Sequence, residues 1–423
     1  MRRIIVQKFG GTSVADTEKI KNVARTVIKE KNNGNDVVVV VSAMGHTTDY
    51  LVKMAKDITN LPSEREMDML LSTGEGVSIA LLAMAIQAEG YEAISYNAMQ
   101  VGIMTENVHT KARIVKIETE KLKKDLNNGK IIVVAGFQGV TESGEITTLG
   151  RGGSDTSAVA IAAALNAERC DIYTDVEGVY TTDPRVVPKA TKLEKISYEE
   201  MLELAHAGAN VLHPRSVETA KLNQVPLRVR SSFKTDDLGT LILGVEKMEI
   251  DRPVTGVAAD LSQTRIVVCD VADIPGQAAS IFTRLAKENI SVDMIIQSYA
   301  RKISHTNDIA FTVNSNDTDK TIATLKAIKE SSELNCGEIQ VDREIAKVSI
   351  VGAGMIDRPG IASAMFDTLA KLGVNIKMIS TSEIKISCLV NKEDATKAVK
   401  ALHDEFGLAG DIVADVKGDL PNV

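Results

Sequence analysis

The N-terminal half of the chain alternates short runs of β-branched residues with longer stretches in which apolar residues recur at helical spacing. Apolar runs bounded by turn residues predict buried strands, and apolar positions three and four residues apart predict amphipathic helices. This alternation predicts an α/β domain in which helices cover a mostly parallel sheet. The predicted strands are Ile4–Val6, Val37–Val41, Ile131–Val134 and Asp171–Thr174, and the predicted helices include Thr17–Lys31, Val77–Glu89 and Thr156–Asn166.

The C-terminal part of the chain contains an internal repeat. The stretch from Asp273 to Ile295 recurs from Asp357 to Ile379 at a constant offset of 84 residues, which is 357 − 273. Each copy has the pattern of a strand, an Asp-x-Pro-Gly turn, an amphipathic helix and a second strand. The repeat therefore predicts two small β-α-β modules in tandem.

The boundary between the two parts is placed in the polar stretch, punctuated by Gly and Pro, that follows Ser232 and reaches Pro253. The sequence thus predicts a large α/β domain over 1–245 and a linker over 246–263. The two modules are predicted over 264–345 and 346–423. A chain of 423 residues is long enough for this many separate cores.

Composition and charge exclude several classes of protein. A hydrophobic content of 44% and a charged content of 25% are ordinary for a globular protein. The net charge of 49 − 57 = −8 argues against a nucleic-acid-binding protein. Four cysteines without CxxC spacing indicate neither a disulfide framework nor a zinc site. With no signal-peptide core and no apolar run approaching the ~18 residues of a membrane span, the chain is expected to be cytoplasmic.

Two predicted strands run into loops that suit phosphate binding. The first leads into Lys8-Phe9-Gly10-Gly11, in which adjacent glycines let backbone N–H groups approach an anion and Lys8 adds a point charge. The second opens into Ser42, Gly45 and Thr48, a hydroxyl-rich stretch before a helix. A plain turn and a well-capped helix start remain equally good interpretations of these two loops when each is considered alone.

Charged residues in two further loops suit binding of a small zwitterion. Glu75 lies between two glycines, either as a fixed carboxylate for a substrate ammonium group or as part of an exposed helix junction. Arg151 and Asp155 flank Gly152-Gly153-Ser154 before an Ala-rich helix. The Arg151 fork can bind a carboxylate or phosphate in bidentate fashion, whereas Asp155 could also serve merely as a helix cap.

The fourth predicted strand ends in a segment that could contact a nucleotide. Thr174 and Asp175 close the strand, Tyr180 could line a base, and Arg185 could reach phosphates. A dinucleotide fingerprint is rejected at Gly352-Ala353-Gly354, because the third glycine position is Asp357 and no acidic residue follows a second strand at the expected distance.

Together these segments resemble the aspartate kinase family over essentially the whole chain. The resemblance rests on joint occurrence of several motifs, and the absence of a following dehydrogenase domain indicates the monofunctional form. The motifs are Lys8-Phe9-Gly10-Gly11-Thr12-Ser13-Val14, Ser42-Ala43-Met44-Gly45, Gly150-Arg151-Gly152-Gly153-Ser154-Asp155, Tyr173-Thr174-Asp175, Thr182-Asp183-Pro184-Arg185 and Val211-Leu212-His213-Pro214-Arg215. The resemblance implies a three-layer amino-acid-kinase-type domain followed by two ACT domains, which are regulatory βαββαβ modules with a ferredoxin-like fold.

The resemblance also implies a reaction, its reactants and the residues that bind them. The expected reaction is transfer of a phosphoryl group from ATP, carrying Mg²⁺, to L-aspartate, which gives 4-phospho-L-aspartate for lysine, threonine and methionine synthesis. The implied catalytic residues are Lys8, Arg151 and Asp155. The implied ATP-binding residues are Lys8, Phe9, Gly10, Gly11, Ser42, Thr174, Asp175, Tyr180 and Arg185, and the implied substrate-binding residues are Thr48, Glu75, Arg151, Gly152, Gly153 and Ser154.

The chain departs from the family at one position, and the resemblance also implies how the protein is regulated. Many members have lysine where this chain has Asn210, so another cation, with Arg185 as the candidate, is expected to bind phosphate there. Lysine, threonine or both are expected as effectors, and a homodimer or larger assembly through the ACT domains is expected. Met248 could start a separate regulatory subunit. The candidate effector-binding residues are Asp273, Pro275, Gly276, Gln297, Asn375 and Ile376.

Two rival hypotheses remain open at this stage. The chain could be another amino-acid kinase acting on a different carboxylate, although Glu75 would then lack an ammonium partner. It could instead be a non-catalytic amino-acid sensor that retains a decayed kinase domain, although intact Lys8, Arg151 and Asp155 argue against that.

Overall fold

The computed structural model describes residues 2–209, 211–244, 252–298, 305–356 and 358–410. Contacts divide the chain into two compact units. The first comprises Met1–Tyr180, Lys192–His206 and Asn210–Glu249, and the second comprises Thr181–Thr191, Ala207–Ala209 and Ile250–Val423. Two short segments within the predicted large domain therefore belong to the second unit. Asn210, Met248 and Asp357, which were considered above, lie outside the described residues.

The first unit contains the alternating strands and helices that the sequence predicts. Its strands are β1 Ile4–Phe9, β2 Asp36–Val41, β3 Ala93–Tyr96, β4 Ile103–Thr105, β5 Ile114–Ile117, β6 Ile131–Ala135, β7 Gln138–Val140, β8 Ile146–Thr148, β9 Arg169–Thr174, β10 Lys195–Ser197, β11 Leu227–Ser231 and β12 Thr240–Leu243. Its helices are α1 Thr17–Asn32, α2 Thr47–Ile58, α3 Glu64–Leu71, α4 Thr73–Ala88, α5 Ala98–Val101, α6 Glu120–Asn127, α7 Gly153–Leu165, α8 Tyr198–His206 and α9 Pro214–Asn223.

Eight of these strands form one sheet in the order β10-β12-β11-β9-β1-β2-β6-β3. Neighbouring strands from β3 to β11 pair in parallel, as do β10 and β12, whereas β11 and β12 pair antiparallel. The predicted mostly parallel sheet is confirmed. The β12 strand lies in the polar stretch in which the domain boundary was placed. The sequence did not predict this strand, because four residues give too short an apolar run to be recognised.

Helices cover both faces of this sheet. Helices α1 and α4 bury the face formed by Phe9, Val39 and Val133, where apolar side chains form one continuous core. The preceding side chain along β1, Lys8, points to the other face and contacts α7. Because successive strand residues alternate between faces, β1 contributes its aromatic ring to the core and its ammonium group to the opposite side.

Helix α4 begins four residues before its predicted start. The sequence Gly74-Glu75-Gly76, interpreted above as an interruption, forms its first turn, and Ser72 alone separates it from α3. The combined stretch Glu64–Ala88 is long and apolar enough to cross a membrane, contrary to the expectation from sequence. Length and apolar composition are also typical of core helices, and here Leu82 and Ile86 are fully buried against the sheet.

The second unit contains two small antiparallel sheets with helices. Its strands are β13 Gly256–Asp260, β14 Gln263–Ala272, β15 Val292–Gln297, β16 Thr306–Asn314, β17 Ile339–Asp342, β18 Ile345–Val351, β19 Met378–Thr381 and β20 Lys385–Asn391. Its helices are α10 Gln277–Lys287, α11 Thr318–Glu330, α12 Ile361–Lys371 and α13 Ala395–Glu405. The predicted pair of modules is confirmed, with each repeat placing a helix after its Pro-Gly turn.

The two modules obtain their fourth strand differently. The first sheet has the order β15-β16-β14-β17, so all its strands come from one continuous βαββαβ segment. The second has the order β13-β18-β20-β19, and β13 precedes the first module in the chain. The predicted linker therefore contains a strand of the second module, an arrangement that local sequence patterns do not reveal.

Candidate active site

An ion pair between Lys8 and Asp155 lies at the centre of the predicted site. The Lys8 Nζ is 2.6 Å from Asp155 Oδ1, and both side chains are only about one-eighth exposed. Lys8 is the penultimate residue of β1, and Asp155 lies in the first turn of α7. The pair brings the predicted lysine–diglycine loop to the start of the helix that follows Arg151, on the same side of the first unit.

The two predicted phosphate loops contact each other directly. The Gly45 N–H donates to the Gly11 carbonyl over 3.0 Å, and the Ser42 N–H donates to the Phe9 carbonyl over 3.1 Å. A Cβ atom on Gly11 would lie 2.9 Å from the Ala43 carbonyl oxygen, so this close approach requires glycine. The loops after β1 and β2 therefore form one backbone surface beside Lys8.

Glu75 is almost completely buried next to these loops. Its Oε1 accepts a hydrogen bond from the Ala43 N–H over 3.2 Å, whereas its Oε2 has no hydrogen-bond partner among the described residues. Burial raises the pKa of the Glu75 carboxyl to about 7. A buried carboxylate with an unpaired oxygen suits a cationic ligand group that would satisfy it.

The Arg151 loop is tightly constrained although Arg151 itself is exposed. Gly152 has a φ of +69°, and a Cβ atom there would lie 2.2 Å from the ring of His213. Leu149, before the loop, is buried, and its N–H donates to the Phe137 carbonyl over 2.8 Å. Within the described part of the chain, the Arg151 guanidinium has no hydrogen-bond or ion-pair partner, which leaves its fork available to a ligand.

The residues expected to contact the nucleotide fall in both units. Thr174 Oγ1 donates to Asp175 Oδ1, and the Thr174 carbonyl accepts from the N–H of Ser232 over 2.9 Å. Tyr180 is half-buried, and burial followed by the nearby Glu177 carboxylate raises the pKa of its hydroxyl to about 12. Arg185 belongs to the second unit.

The Arg185 guanidinium forms an ion pair with Asp183, at 2.8 Å between Nη2 and Oδ2. The pairing gives this arginine a defined orientation, but it also occupies part of the fork that was expected to reach phosphates. Asp183 lies within the same Thr-Asp-Pro-Arg motif.

Several predicted contacts are restricted by where the structure places the side chains. The Phe9 ring is buried and stacks on Tyr173 with centroids 4.4 Å apart, so only its backbone could contact ATP. Ser154 is buried in α7 against Gly136. Thr48 lies half-exposed in the first turn of α2, where its hydroxyl could orient a ligand.

The candidate effector residues lie at turns and strand ends of the two modules. Asp273 accepts a hydrogen bond from Asn307 Nδ2 over 3.2 Å, and Gly276 caps α10 with a φ of +102°. Gln297 is the exposed last residue of β15. In the second module, Asn375 is exposed, whereas Ile376 packs partly against the core, which leaves it less accessible than expected.

Sequence reasoning assigned no role to a buried aspartate and an arginine that support the Arg151 loop. Asp68 is fully buried and accepts hydrogen bonds from Thr148 Oγ1 over 2.6 Å and from the Thr110 N–H over 3.0 Å. Arg215 donates to two backbone carbonyls of this region. Asp68 could have been found in the sequence as the single acidic residue in the apolar run Met67–Leu71. Arg215 is the last residue of the motif Val211-Leu212-His213-Pro214-Arg215.

Comparisons with known proteins identify relatives along the full chain. The amino acid kinase family profile matches residues 3–231, and the ACT domain profile matches residues 266–328 and 348–406. The aspartokinase of Bacillus sp. (strain MGA3) is 56% identical over 410 residues, which cover 97% of this chain and 98% of that protein.

Solved structures agree with these matches. The crystal structure of E. coli aspartokinase III in complex with aspartate and ADP, in the R-state, has a TM-score of 0.81 at 30% identity and covers 96% of this chain and 100% of that one. The same enzyme in complex with lysine and aspartate, in the T-state, has a TM-score of 0.75 at 29% identity, with 95% and 99% covered.

Proposed function

The chain belongs to the aspartokinase family and is an aspartate kinase, and from this premise we propose which residues bind its reactants and which product it makes. The proposed reaction transfers the γ-phosphoryl group of ATP to the side-chain carboxylate of L-aspartate, which gives 4-phospho-L-aspartate and ADP. Lys8 and Asp155 form the centre of the site, with the nucleotide phosphates on the glycine-loop side and aspartate on the Arg151 side.

The observation that carries this proposal is the ion pair between Lys8 and Asp155. It joins the loops after β1 and β2, which offer backbone N–H groups and hydroxyls, to the first turn of α7, which follows Arg151. Phosphoryl transfer requires the acceptor and the γ-phosphoryl group to be held in line and the developing charge to be neutralised. A cation between an anion-binding surface and a carboxylate-binding loop meets that requirement.

The chemistry needs positioning more than proton transfer. The side-chain carboxylate of aspartate is ionised at neutral pH, so it can attack phosphorus without a general base. The Lys8 ammonium, held by Asp155, would neutralise charge on the transferring phosphoryl group, with the Gly10 and Gly11 amides and the Ser42 hydroxyl as further donors. Mg²⁺ would enter with ATP as part of the substrate, since it binds phosphate oxygens and retains waters readily.

Two charged side chains are proposed to recognise the amino-acid end of aspartate. The exposed fork of Arg151 would bind the α-carboxylate in bidentate fashion. Glu75, whose Oε2 has no hydrogen-bond partner among the described residues, would accept hydrogen bonds from the α-ammonium group. Thr48 and the Gly152-Gly153-Ser154 backbone would orient the substrate between them.

Trapping of the product with hydroxylamine tests the proposed reaction against its rivals. An acyl phosphate reacts with hydroxylamine to give a hydroxamate, so the purified protein with MgATP and L-aspartate should yield aspartyl hydroxamate. Glutamate should yield little hydroxamate if the site is specific for aspartate. N-acetylated aspartate should also yield little, because it lacks the ammonium group that Glu75 would bind. Preferred use of an N-acylated acceptor would contradict the Glu75 role, and the absence of any hydroxamate would favour the sensor hypothesis.

We further propose that lysine or threonine regulates the enzyme through the second unit. The support is the pair of ACT modules and a related aspartokinase crystallised with lysine. Asp273, Pro275, Gly276, Gln297, Asn375 and Ile376 are the proposed contacts. This regulation fits a place at the start of lysine, threonine and methionine synthesis, since an acyl phosphate is a reactive intermediate that a pathway would form only on demand.

Calorimetric titration of the full chain with lysine, threonine or both tests this regulation. The full chain is needed because the second unit includes residues 181–191 and 207–209, which a C-terminal fragment would lack. Binding should weaken in Gln297→Ala and in Asp273→Ala and stay unchanged in Lys392→Ala, a control at an exposed residue outside the proposed contacts. Absence of binding in the folded full chain would remove the proposal. Sedimentation with and without effector would test the expected homodimer or larger assembly.

A further inference from the structure

Arg215 joins two separate backbone segments next to the Arg151 loop. Its Nη1 donates to the Leu149 carbonyl and its Nη2 to the Ala112 carbonyl, each over 2.7 Å. Both acceptor residues are buried, with exposed fractions of 1% and 0%. A planar guanidinium whose two terminal nitrogens donate in a fixed fork is suited to hold two carbonyls at a set separation, whereas an ammonium group donates from a single nitrogen and sets no such separation.

The same two segments are also joined to each other. The Ala112 N–H donates to the Thr148 carbonyl over 3.0 Å, so Arg215, Leu149, Thr148 and Ala112 form a closed ring of hydrogen bonds. Leu149 is the second residue before Arg151 in the chain. The ring therefore fixes the backbone from which the exposed Arg151 side chain projects.

Other contacts restrict the rest of this loop but do not involve the Leu149 carbonyl, which Arg215 binds. On the side of α3, Asp68 holds Thr148 through its hydroxyl and Thr110 through its N–H. After Arg151, the ring of His213 lies against Gly152, where a Cβ atom would have no room. Among the described residues, Arg215 is the side chain for which the structure gives a hydrogen bond to the Leu149 carbonyl.

We infer that Arg215 is a positioning residue for aspartate binding: it holds the Arg151 loop so that the Arg151 fork meets the substrate α-carboxylate. This inference rests on the proposed function, in which Arg151 binds that carboxylate. Without the Arg215 fork, the buried Leu149 carbonyl loses its partner and the loop shifts to find another. Misplacement of a binding group by about 1 Å can cost roughly a hundredfold in rate. The nucleotide loops after β1 and β2 have their own contacts and should be unaffected.

Steady-state kinetics with aspartate and MgATP varied separately provide the test. In Arg215→Met, the KM for aspartate should rise by roughly ten- to a hundredfold while the KM for ATP stays within about twofold, since only the substrate loop moves. Arg215→Lys, which retains the charge but replaces the two donor nitrogens of the fork with one, should show an intermediate rise. Arg113→Met removes a neighbouring but exposed cation and should behave as the unchanged protein.

Arg151→Met separates failure of this inference from failure of the proposed function. If Arg151→Met raises the KM for aspartate and Arg215→Met does not, the positioning role is overturned. Equal increases in both KM values would also overturn it, because they would indicate general loss of structure. If Arg151→Met leaves the KM for aspartate unchanged, the proposed carboxylate clamp itself is wrong. Should Arg215→Met fail to fold, the same comparison of KM values is made with Arg215→Lys.

Discussion

Individual side chains in the site are held in unusual electrostatic environments, and these can be tested one at a time. Lys8 and Asp155 form a mostly buried pair, whereas Glu75 is buried with one oxygen unpaired by any described residue. An ionised carboxylate without a partner is costly to bury, which is why the pKa of Glu75 is raised, and under the proposed function the substrate ammonium group provides the missing partner. Lys8 lies in β1 next to the Gly10-Gly11 loop, and Glu75 lies in the first turn of α4, where it accepts a hydrogen bond from the Ala43 N–H.

Lys8→Ala should lower kcat by roughly two to four orders of magnitude, because a preorganised charge that stabilises the transition state is lost. Hydroxamate formation at saturating aspartate and ATP measures this effect. Lys21→Ala is a suitable control, since Lys21 forms an exposed pair with Glu18 on α1. Near-normal turnover in Lys8→Ala would exclude Lys8 from the mechanism.

The pKa of Glu75 predicts how aspartate binding depends on pH. Burial raises this pKa from 4.5 to about 7, so relative to the unfolded chain the group favours folding below pH 4.5 and loses that contribution as pH rises through 7. Under the proposed function, the substrate ammonium group binds the ionised form of Glu75. The KM for aspartate should therefore fall as pH rises from 6 to 8.

Substitution of Glu75 should remove this pH dependence. Glu75→Gln should raise the KM for aspartate by roughly 10- to 100-fold, the loss expected for a hydrogen bond to a charged group, and leave it flat across pH 6–8. Glu89→Gln, at the exposed end of the same helix, should retain the normal profile. A pH dependence that survives in Glu75→Gln must come from another group.

At the scale of elements, the Arg151 loop is held by residues from α3, α7 and α9. The loop ends in Gly152, whose left-handed conformation precedes α7, and the start of α9 places His213 against it. Asp68 on α3 fixes its other end through Thr148. Three elements that are distant in sequence thus determine the conformation of a few residues.

Gly152→Ala tests how closely the start of α9 packs on the loop. A Cβ atom would meet the His213 ring at 2.2 Å and would also force an L-residue to a φ of +69°. Gly34→Ala is the matched control, since Gly34 has a φ of +87° but no atom within 4 Å of the added Cβ, so it should cost only about 1–2 kcal/mol.

Thermal unfolding and the KM for aspartate, measured together, separate strain from steric conflict. Gly152→Ala should lose more stability than Gly34→Ala and should also raise the KM for aspartate. Equal loss of stability in the two variants, with aspartate kinetics unchanged, would show that His213 accommodates the methyl group.

At the scale of the whole molecule, the chain passes between its two units several times. The segment Thr181–Thr191 belongs to the second unit although residues on either side of it belong to the first. Within the second unit, Thr181 lies 2.9 Å from the fully buried His403 Nε2 on α13, and its carbonyl accepts from the Val257 N–H over 2.7 Å. The segment that carries Arg185 is therefore anchored in the second module.

The buried His403 predicts that this anchoring weakens in acid. Burial lowers the pKa of His403 below 6.5. The contribution of this residue to the free energy of unfolding is therefore fully present above pH 6.5 and is lost as pH falls through the lowered pKa. The melting temperature should fall more steeply between pH 7 and 5.5 in the native chain than in His403→Gln. His46→Gln, at an almost fully exposed histidine, should leave the native slope unchanged; identical slopes in His403→Gln and the native chain would contradict the prediction.

The sequence alone determined the local elements and the chemical types available at the site. Buried strands such as Val37–Val41 are apolar throughout, and the Lys8 and Arg151 loops carry glycine where backbone must approach closely, so both leave a local signal. The repeat of the Asp-x-Pro-Gly turn likewise predicted two modules. These features were predictable because each depends on neighbours a few residues away.

Only the tertiary structure decided the contacts that join distant segments. The entry of β13 into the second module, the assignment of Thr181–Thr191 to the second unit and the hydrogen bonds of Arg215 to Leu149 and Ala112 leave no periodic pattern in the chain. Each depends on where another segment lies in space. Burial of Glu75 is of the same kind: the sequence offered a carboxylate between two glycines, and tertiary packing removed it from water and raised its pKa, while the hydrogen bond from the Ala43 N–H opposes part of that rise.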